Sequence, residues 1–167
     1  MPGPAPDTAP LFAEPSHGTL RLVAYLALAG DVLLGASYHG GWGASWKVAG
    51  GVVGPEVSRF SYRNLHAAVP DHAGGNAYFP SLGDDLIAQF SIALDGELVE
   101  LSEPVVKEAE GCGPRHLVVS ADGRNAYLLT EFTGAAIRFE RSEGGRLTKA
   151  ESVLAHDTAA DLGMSSY

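Results

Sequence analysis

A chain of 167 residues that is 46% hydrophobic and 19% charged can bury one ordinary core, which excludes a disordered tail. Twenty acidic against eleven basic residues give a formal charge of −9; this argues against a generic nucleic-acid surface, because neutralising phosphates needs clustered Lys and Arg, and leaves any anionic ligand to local arginines. The single cysteine, Cys112, rules out an intrachain disulfide framework and fits a reducing compartment, with the cytoplasm as the expected location.

In chain order, the first segment is MPGPAPDTAPLFAEPSHG, with five of the ten prolines within its first fifteen residues and no positive charge ahead of an apolar core. It does not read as a signal peptide. Proline fixes φ and removes donors, and little here can bury enough surface to offset ordering, so residues 1–18 are expected to be a flexible lead. The longest apolar stretch, LVAYLALAGDVLLGA, is interrupted by Gly30 and Asp31. It falls short of the roughly 20 apolar residues that span a bilayer, and no membrane segment is expected.

Beyond the lead the chain repeats itself. AAVPDHAGGNAYFPSLGDDLIAQFSIALDGELVEL and HLVVSADGRNAYLLTEFTGAAIRFERSEGGRLTKA share an order: an apolar strand, a turn rich in Asp and Gly, a strand beginning Asn-Ala-Tyr, a third strand, then a glycine turn before a fourth. Tyr78 and Tyr127 are 49 residues apart, and so are Gly96 and Gly145, so two separate landmarks keep one register. A more worn copy, YLALAGDVLLGASYHGGWGASWKVAGGVVG, precedes them, with Gly51 lying 45 residues before Gly96. Each unit has short runs rich in Val, Ile, Leu, Tyr and Phe broken by turn residues at hairpin spacing. In SADGR, at 120–124, Asp can cap a tight turn with its side chain while Gly supplies φ > 0. Four-strand meanders repeating every 40–50 residues are the signature of propeller blades. The expected fold class is therefore all-β, made of four-stranded antiparallel β-propeller blades over residues 19–60, 61–110 and 111–157, within one domain spanning 19–167. An immunoglobulin-like sandwich would not be self-similar at this period.

Three segments, NLHAAVPDHAGGNAYFPSLGDDLIAQFSI, GCGPRHLVVSADGRNAYLLTEF and LLGASYHGGWGASWKVAGGVVG, occur in the order and spacing of the lactonase-type seven-bladed propellers, and the chain resembles that family over about residues 22–157. The resemblance implies hydrolysis of the six-membered lactone of 6-phosphogluconate, in the pentose phosphate pathway of glucose metabolism, without metal or organic cofactor. The family also has a carboxymuconate cyclase branch. Carried over by position, its site histidine falls on His66 in NLHAAV, its arginine on Arg115 in GPRH and its carboxylate on Glu131 in LLTEF. A further family arginine would lie in a later blade, beyond Tyr167. Leu65, Cys112 and the Thr130-Glu131-Phe132 triplet depart from the family's usual residues.

The chemistry has its own logic. Opening a lactone needs a positioned water, a base to take its proton and a donor for the oxygen that becomes negative. Glu131 is the candidate base. Arg115 offers a planar fork for either the lactone carbonyl or a phosphate. His66, whose ordinary pKa lies near neutrality, could donate to the oxyanion or relay a proton. All three are candidate catalytic residues, and Arg115 and His66 are also candidate substrate-binding residues. Against this stand ordinary readings: a strand-end carboxylate is usually solvated, and an arginine can simply pair on the surface.

The remaining candidates read as structural. His116 alternates out of phase with Arg115 and is assigned a structural role. His39 is expected to cap a loop, and His72 and His156 sit in turn-like contexts. No HExxH or paired-ligand spacing is present and no metal is expected. The glycines of GGWG and AGGVVG lack the P-loop ending and read as turns. Trp42 and Trp46 could stack on a sugar but are expected to pack between blades.

About three blades fit in this length, so the propeller is expected to be incomplete relative to a seven-bladed ring, with self-association through open blade edges as one consequence. The proline-rich start and the abrupt DLGMSSY ending suggest a truncated frame whose activity alone is in doubt. A non-catalytic propeller fragment or binding scaffold is the alternative function, since fold alone does not separate it from an enzyme. The expected partner is a small sugar-phosphate lactone, with neither nucleic acid nor membrane.

Overall fold

A computed structural model describes residues 23–155; the proposed lead and His156 lie outside the described residues. Twelve strands form three four-stranded antiparallel sheets. The first contains β1 (Tyr25–Ala29), β2 (Val32–Ser37), β3 (Trp42–Ala49) and β4 (Val52–Ser61). The second contains β5 (Val69–Pro70), β6 (Asn76–Ser81), β7 (Leu86–Ile92) and β8 (Leu98–Lys107). The third contains β9 (Pro114–Val119), β10 (Asn125–Thr130), β11 (Ala135–Arg141) and β12 (Leu147–Leu154). Each sheet is a meander in which every strand pairs with the next in sequence. No helix occurs among the described residues, so none there is long and apolar enough to cross a membrane.

The turn chemistry read from the sequence is in place. At 120–124, Gly123 adopts φ 69 and donates its N–H to the Ser120 carbonyl, while Asp122 accepts the Arg124 N–H at 3.0 Å. Asx capping and a left-handed glycine together reverse the chain in the space available.

Period-two alternation determines how the sheets stack. β6 is buried along its whole length. Ala77 and Phe79 join Val32, Leu34 and Ala36 of β2 in one core, whereas Tyr78 joins Leu117, Leu128, Ile137 and Phe139 of the third sheet in another. β7 divides likewise, with Leu86, Ala88 and Phe90 in the first core and Ile87 in the second. The second sheet thus packs on both faces, and the three sheets form an unclosed arc of propeller blades.

Polar side chains tie neighbouring sheets together where water is excluded. Gln89, fully buried, donates to the Glu103 carbonyl at 2.9 Å and accepts the Leu147 N–H of the next sheet at 2.7 Å. Arg141 pairs with buried Asp71, donates to Tyr78 Oη at 2.7 Å and to Asn76 Oδ1 at 2.7 Å, and so clamps the third sheet to the second. A buried charge left without such partners would cost several kcal/mol, so the clamp is coherent only as a set.

Trp42 and Trp46 lie elsewhere than between the described sheets. Ser45 and Gly43 face the second sheet, since Ser45 Oγ bonds the Gly96 carbonyl and a Cβ on Gly43 would strike Phe60. Alternation sends the two tryptophans to the opposite face, where Trp46 covers Gly35 and Trp42 lies 4.0 Å beneath the Arg59 guanidinium.

Candidate active site

The innermost strands of the three sheets, β1, β5 and β9, run side by side, so residues at their leading ends share one rim of the arc. His66 stands just before β5, its backbone pinned by an N–H bond to the Pro80 carbonyl at 2.9 Å and by the neighbouring Leu65–Ser81 bridge. Arg115 is the second residue of β9, 49 positions later, hence at the equivalent place of the next repeat. Rotation about the channel axis brings the two together: Arg115 Nε lies 2.9 Å from His66 Nε2.

Glu131 arrives by a different route. β10 returns antiparallel to β9, and the register shifts between Leu129 and Thr130, so that Thr130 rather than Glu131 fills the buried position opposite Pro114. Thr130 Oγ1 accepts the Ala135 N–H at 2.8 Å and anchors the following turn. Glu131, its N–H bonded to the Gly113 carbonyl at 2.8 Å, places Oε2 3.1 Å from Arg115 Nε. The Arg115 and Glu131 side chains are only 19% and 17% exposed, so water screens the pair weakly. The structure therefore brings all three sequence candidates, His66, Arg115 and Glu131, to one cavity of about 390 Å³ lined also by Ala24, Tyr25, Tyr38 and His39.

His66 departs from the expectation of a group titrating near neutrality. Burial above all, then the adjacent Arg115 charge and His116, lower its pKa to about 4. It is a neutral imidazole at pH 7. Because Arg115 donates to Nε2, the ring proton sits on Nδ1, which is buried and has no hydrogen-bond partner among the described residues. The neutral ring thus holds the guanidinium in place and is not a proton carrier in the resting site.

Of the residues assigned elsewhere, His39 lines this cavity and His116 meets the His66 ring without lining it. His39, expected to cap a loop, lies on the β2–β3 turn, exposed, with its ring edge-on to Tyr38 at 5.1 Å. His116 is exposed rather than built into the core, and its ring meets that of His66 at 5.3 Å; burial and then Arg115 lower its pKa, with Glu131 opposing. Sequence reasoning also missed Tyr38, whose ring stands 5.9 Å from His66. The sequence signal, a hydroxyl residue ending the second strand, was blurred by the looser spacing of the first repeat. Ser37 in the first sheet and Thr130 in the third are buried hydroxyls ending the second strand of their sheets, and the next residues are Tyr38 and Glu131. Tyr38 therefore occupies, two blades earlier, the position of Glu131.

The other conspicuous groups are remote from this chemistry. Cys112 is buried, and burial together with Asp85 and Glu108 pushes its thiol up to about 12, so it is protonated at pH 7. His72 bonds the Val119 carbonyl at 3.2 Å beside a second cavity at the Asp71–Arg141 clamp. Among the described residues, no group of three or more His, Cys, Asp or Glu is placed to hold a metal ion.

Repeated four-stranded meanders packed face to face, with the three candidate side chains converging on one rim beside the innermost strands, define a β-propeller whose candidate site lies on that rim. The model of the lactonase family, described as a seven-bladed β-propeller, matches residues 11–165, and the chain belongs to that family. A 6-phosphogluconolactonase of Serratia proteamaculans is 30% identical over 148 residues, covering 87% of this chain and 43% of its own length. One from Erwinia tasmaniensis is 32% identical over 88 residues, covering 53% of this chain and 26% of that protein. Among solved structures, a periplasmic gluconolactonase of Pseudomonas aeruginosa superposes with a TM-score of 0.76 at 27% identity, covering 83% of this chain and 44% of that one. The chain spans less than half the length of the curated relatives it matches.

Proposed function

We propose that the cavity at the channel rim hydrolyses a sugar lactone, with 6-phosphogluconolactone as the substrate and Glu131, Arg115 and His66 as the working residues. The observation that carries this reading is the convergence of a carboxylate, a guanidinium and a neutral imidazole within hydrogen-bond reach in one cavity.

Glu131 takes the proton from a water whose oxygen attacks the lactone carbonyl carbon. The carbonyl oxygen becomes an oxyanion beside Arg115, whose charge and N–H groups offset it in a half-buried setting where such interactions are strong. As the tetrahedral intermediate collapses, the bond from the carbonyl carbon to the ring oxygen breaks. The proton held by Glu131 passes to that oxygen, leaving a hydroxy acid and a carboxylate base ready for another turn. His66 accepts the Arg115 Nε–H and steadies the guanidinium beside Glu131, which favours the reacting carbonyl over a distant phosphate as the partner of Arg115.

The similarity to a gluconolactonase favours a second substrate reading, an unphosphorylated lactone. Turnover of both lactones, corrected for spontaneous opening, tests the two together. Glu131→Gln should lower turnover at least about a hundredfold with little change in KM, because the amide keeps the shape but cannot take the proton. Undiminished turnover in that variant would remove the mechanism. Faster hydrolysis of the unphosphorylated lactone would transfer the assignment to it.

A further inference from the structure

A larger cavity, of about 710 Å³, adjoins the rim cavity and shares Tyr38 and His39 with it. It opens where the first sheet meets the second, and its remaining charged groups are Arg63 and Asp84. Asp84 Oδ1 accepts the Arg63 Nε–H and Oδ2 the Arg63 backbone N–H, each at 2.6 Å, so both carboxylate oxygens are engaged. The guanidinium is held by Nε, its two terminal amino groups make no bond to any described residue, and the side chain is 76% exposed. Asn64, at φ 51, donates Nδ2 to the Tyr38 carbonyl at 3.4 Å and sets the segment against the β6–β7 turn. A Cβ on Gly83 of that turn would lie 2.5 Å from Asn64 Oδ1 and 2.8 Å from Arg63 Cβ, so the close approach requires glycine.

The joint between the second and third sheets has the same backbone and no such opening. Forty-nine residues on, Cys112 takes the place of Arg63 and Phe132 that of Gly83. Cys112 is buried, and the Phe132 ring closes on Gly113, where a Cβ would meet it at 2.7 Å. A cation is therefore not what joins two sheets at this place; the repeat fills it with apolar groups one blade later. Arg63 also stands only three residues before His66, so their Cα atoms are at most about 11 Å apart, and one small substrate can meet both cavities.

We propose that this cavity is the phosphate subsite of the rim site, with the terminal amino groups of Arg63 holding the phosphate of a phosphorylated lactone while Arg115 faces its carbonyl; this rests on the lactone reading of the rim cavity. Arg63 is then the residue that selects phosphorylated over unphosphorylated substrate. Two parallel N–H groups match two phosphate oxygens, and a chain of net charge −9 has to supply such a fork locally. Asp84 offsets part of the positive charge, yet it fixes the guanidinium beforehand, so less side-chain freedom is lost on binding. His39 and the Tyr38 hydroxyl, on the lining common to both cavities, are the further donors available to the phosphate.

NMR titration of the full chain with inorganic phosphate, gluconate and 6-phosphogluconate tests this, with circular dichroism confirming the fold of each variant. Inorganic phosphate should perturb Arg63 and His39 saturably, and 6-phosphogluconate should bind at least about tenfold tighter than gluconate. Arg63→Gln, at an exposed side chain, should abolish the phosphate response and bring the two affinities within about twofold of each other. Arg63→Lys keeps the charge without the fork and should give an intermediate ratio. Phosphate centred on Arg115 and His66 instead, or a wild-type ratio near one, would overturn the proposal. An unchanged ratio in Arg63→Gln with the rim residues still perturbed overturns the subsite alone. Perturbation of Arg63 by 6-phosphogluconate with Arg115 and Glu131 unmoved overturns the lactone reading beneath it.

Discussion

Removing the Tyr78 hydroxyl isolates the energetic worth of the joint between blades. The side chain is fully buried, and its oxygen both donates to the Gly145 carbonyl at 2.6 Å and accepts from Arg141 Nε at 2.7 Å. Tyr78→Phe leaves the ring packing intact and withdraws both bonds. Arg141 keeps Asp71, Asn76 and the Gly123 carbonyl, so the larger loss falls on the Gly145 carbonyl. At about 1–3 kcal/mol for a buried polar group losing its partner, somewhat more where a charge is involved, the expected cost is about 3 kcal/mol. For a folded region of this size that is a fall of about 10 °C in Tm. Tyr127→Phe, 49 residues later on the exposed face, should cost under about 0.5 kcal/mol. Urea and thermal unfolding followed by circular dichroism measure both, with an unchanged m-value showing that the native surface is preserved. Equal losses in the two variants would refute the view that the buried hydroxyl joins the blades.

Other expectations follow from the site and the core. Phe79→Ala should cost about 3–5 kcal/mol, because the ring is fully buried between the first two sheets; the same denaturation curves measure it. Tyr38→Phe, which removes the hydroxyl at the position equivalent to Glu131, should lower lactone turnover by about tenfold without a loss of stability, as kinetics beside thermal melts would show. NMR titration of the His66 ring should find it neutral to below pH 5. Its folded pKa is depressed below the unfolded value, so the unfolded chain binds more protons between pH 4 and 6.5, and the His66 contribution makes stability fall as pH drops through that window. Cys112 should resist a disulfide-exchange reagent at pH 8 in the folded chain and react promptly in denaturant.

The sheets were legible because turn residues and apolar alternation repeat with one register: Gly96 and Gly145 take φ 91 and 89 in corresponding turns. His66 and Arg115 were picked out by the family resemblance, and their meeting follows from their equal places in successive blades, which approach each other around an axis. Tyr38 and His39 were hidden by the looser first repeat, where the 45-residue spacing breaks the register that would have aligned Tyr38 with Glu131. The depressed pKa of His66 could not be read from sequence, because it depends chiefly on burial of the ring and on an arginine 49 residues away. Trp42 and Trp46 were expected between blades, but which face of β3 meets the second sheet is decided by Ser45 and Gly43, whose partners lie in the second sheet and in β4.

Chemical-shift mapping with 6-phosphogluconate, the hydrolysis product, tests the central claim most directly. The expected result is saturable perturbation centred on His66, Arg115, Glu131 and Tyr38, lost in Arg115→Ala. Perturbation centred instead on Asp71, Arg124 and Arg141 at the second cavity, or none at millimolar product, would contradict a lactone site at the channel rim.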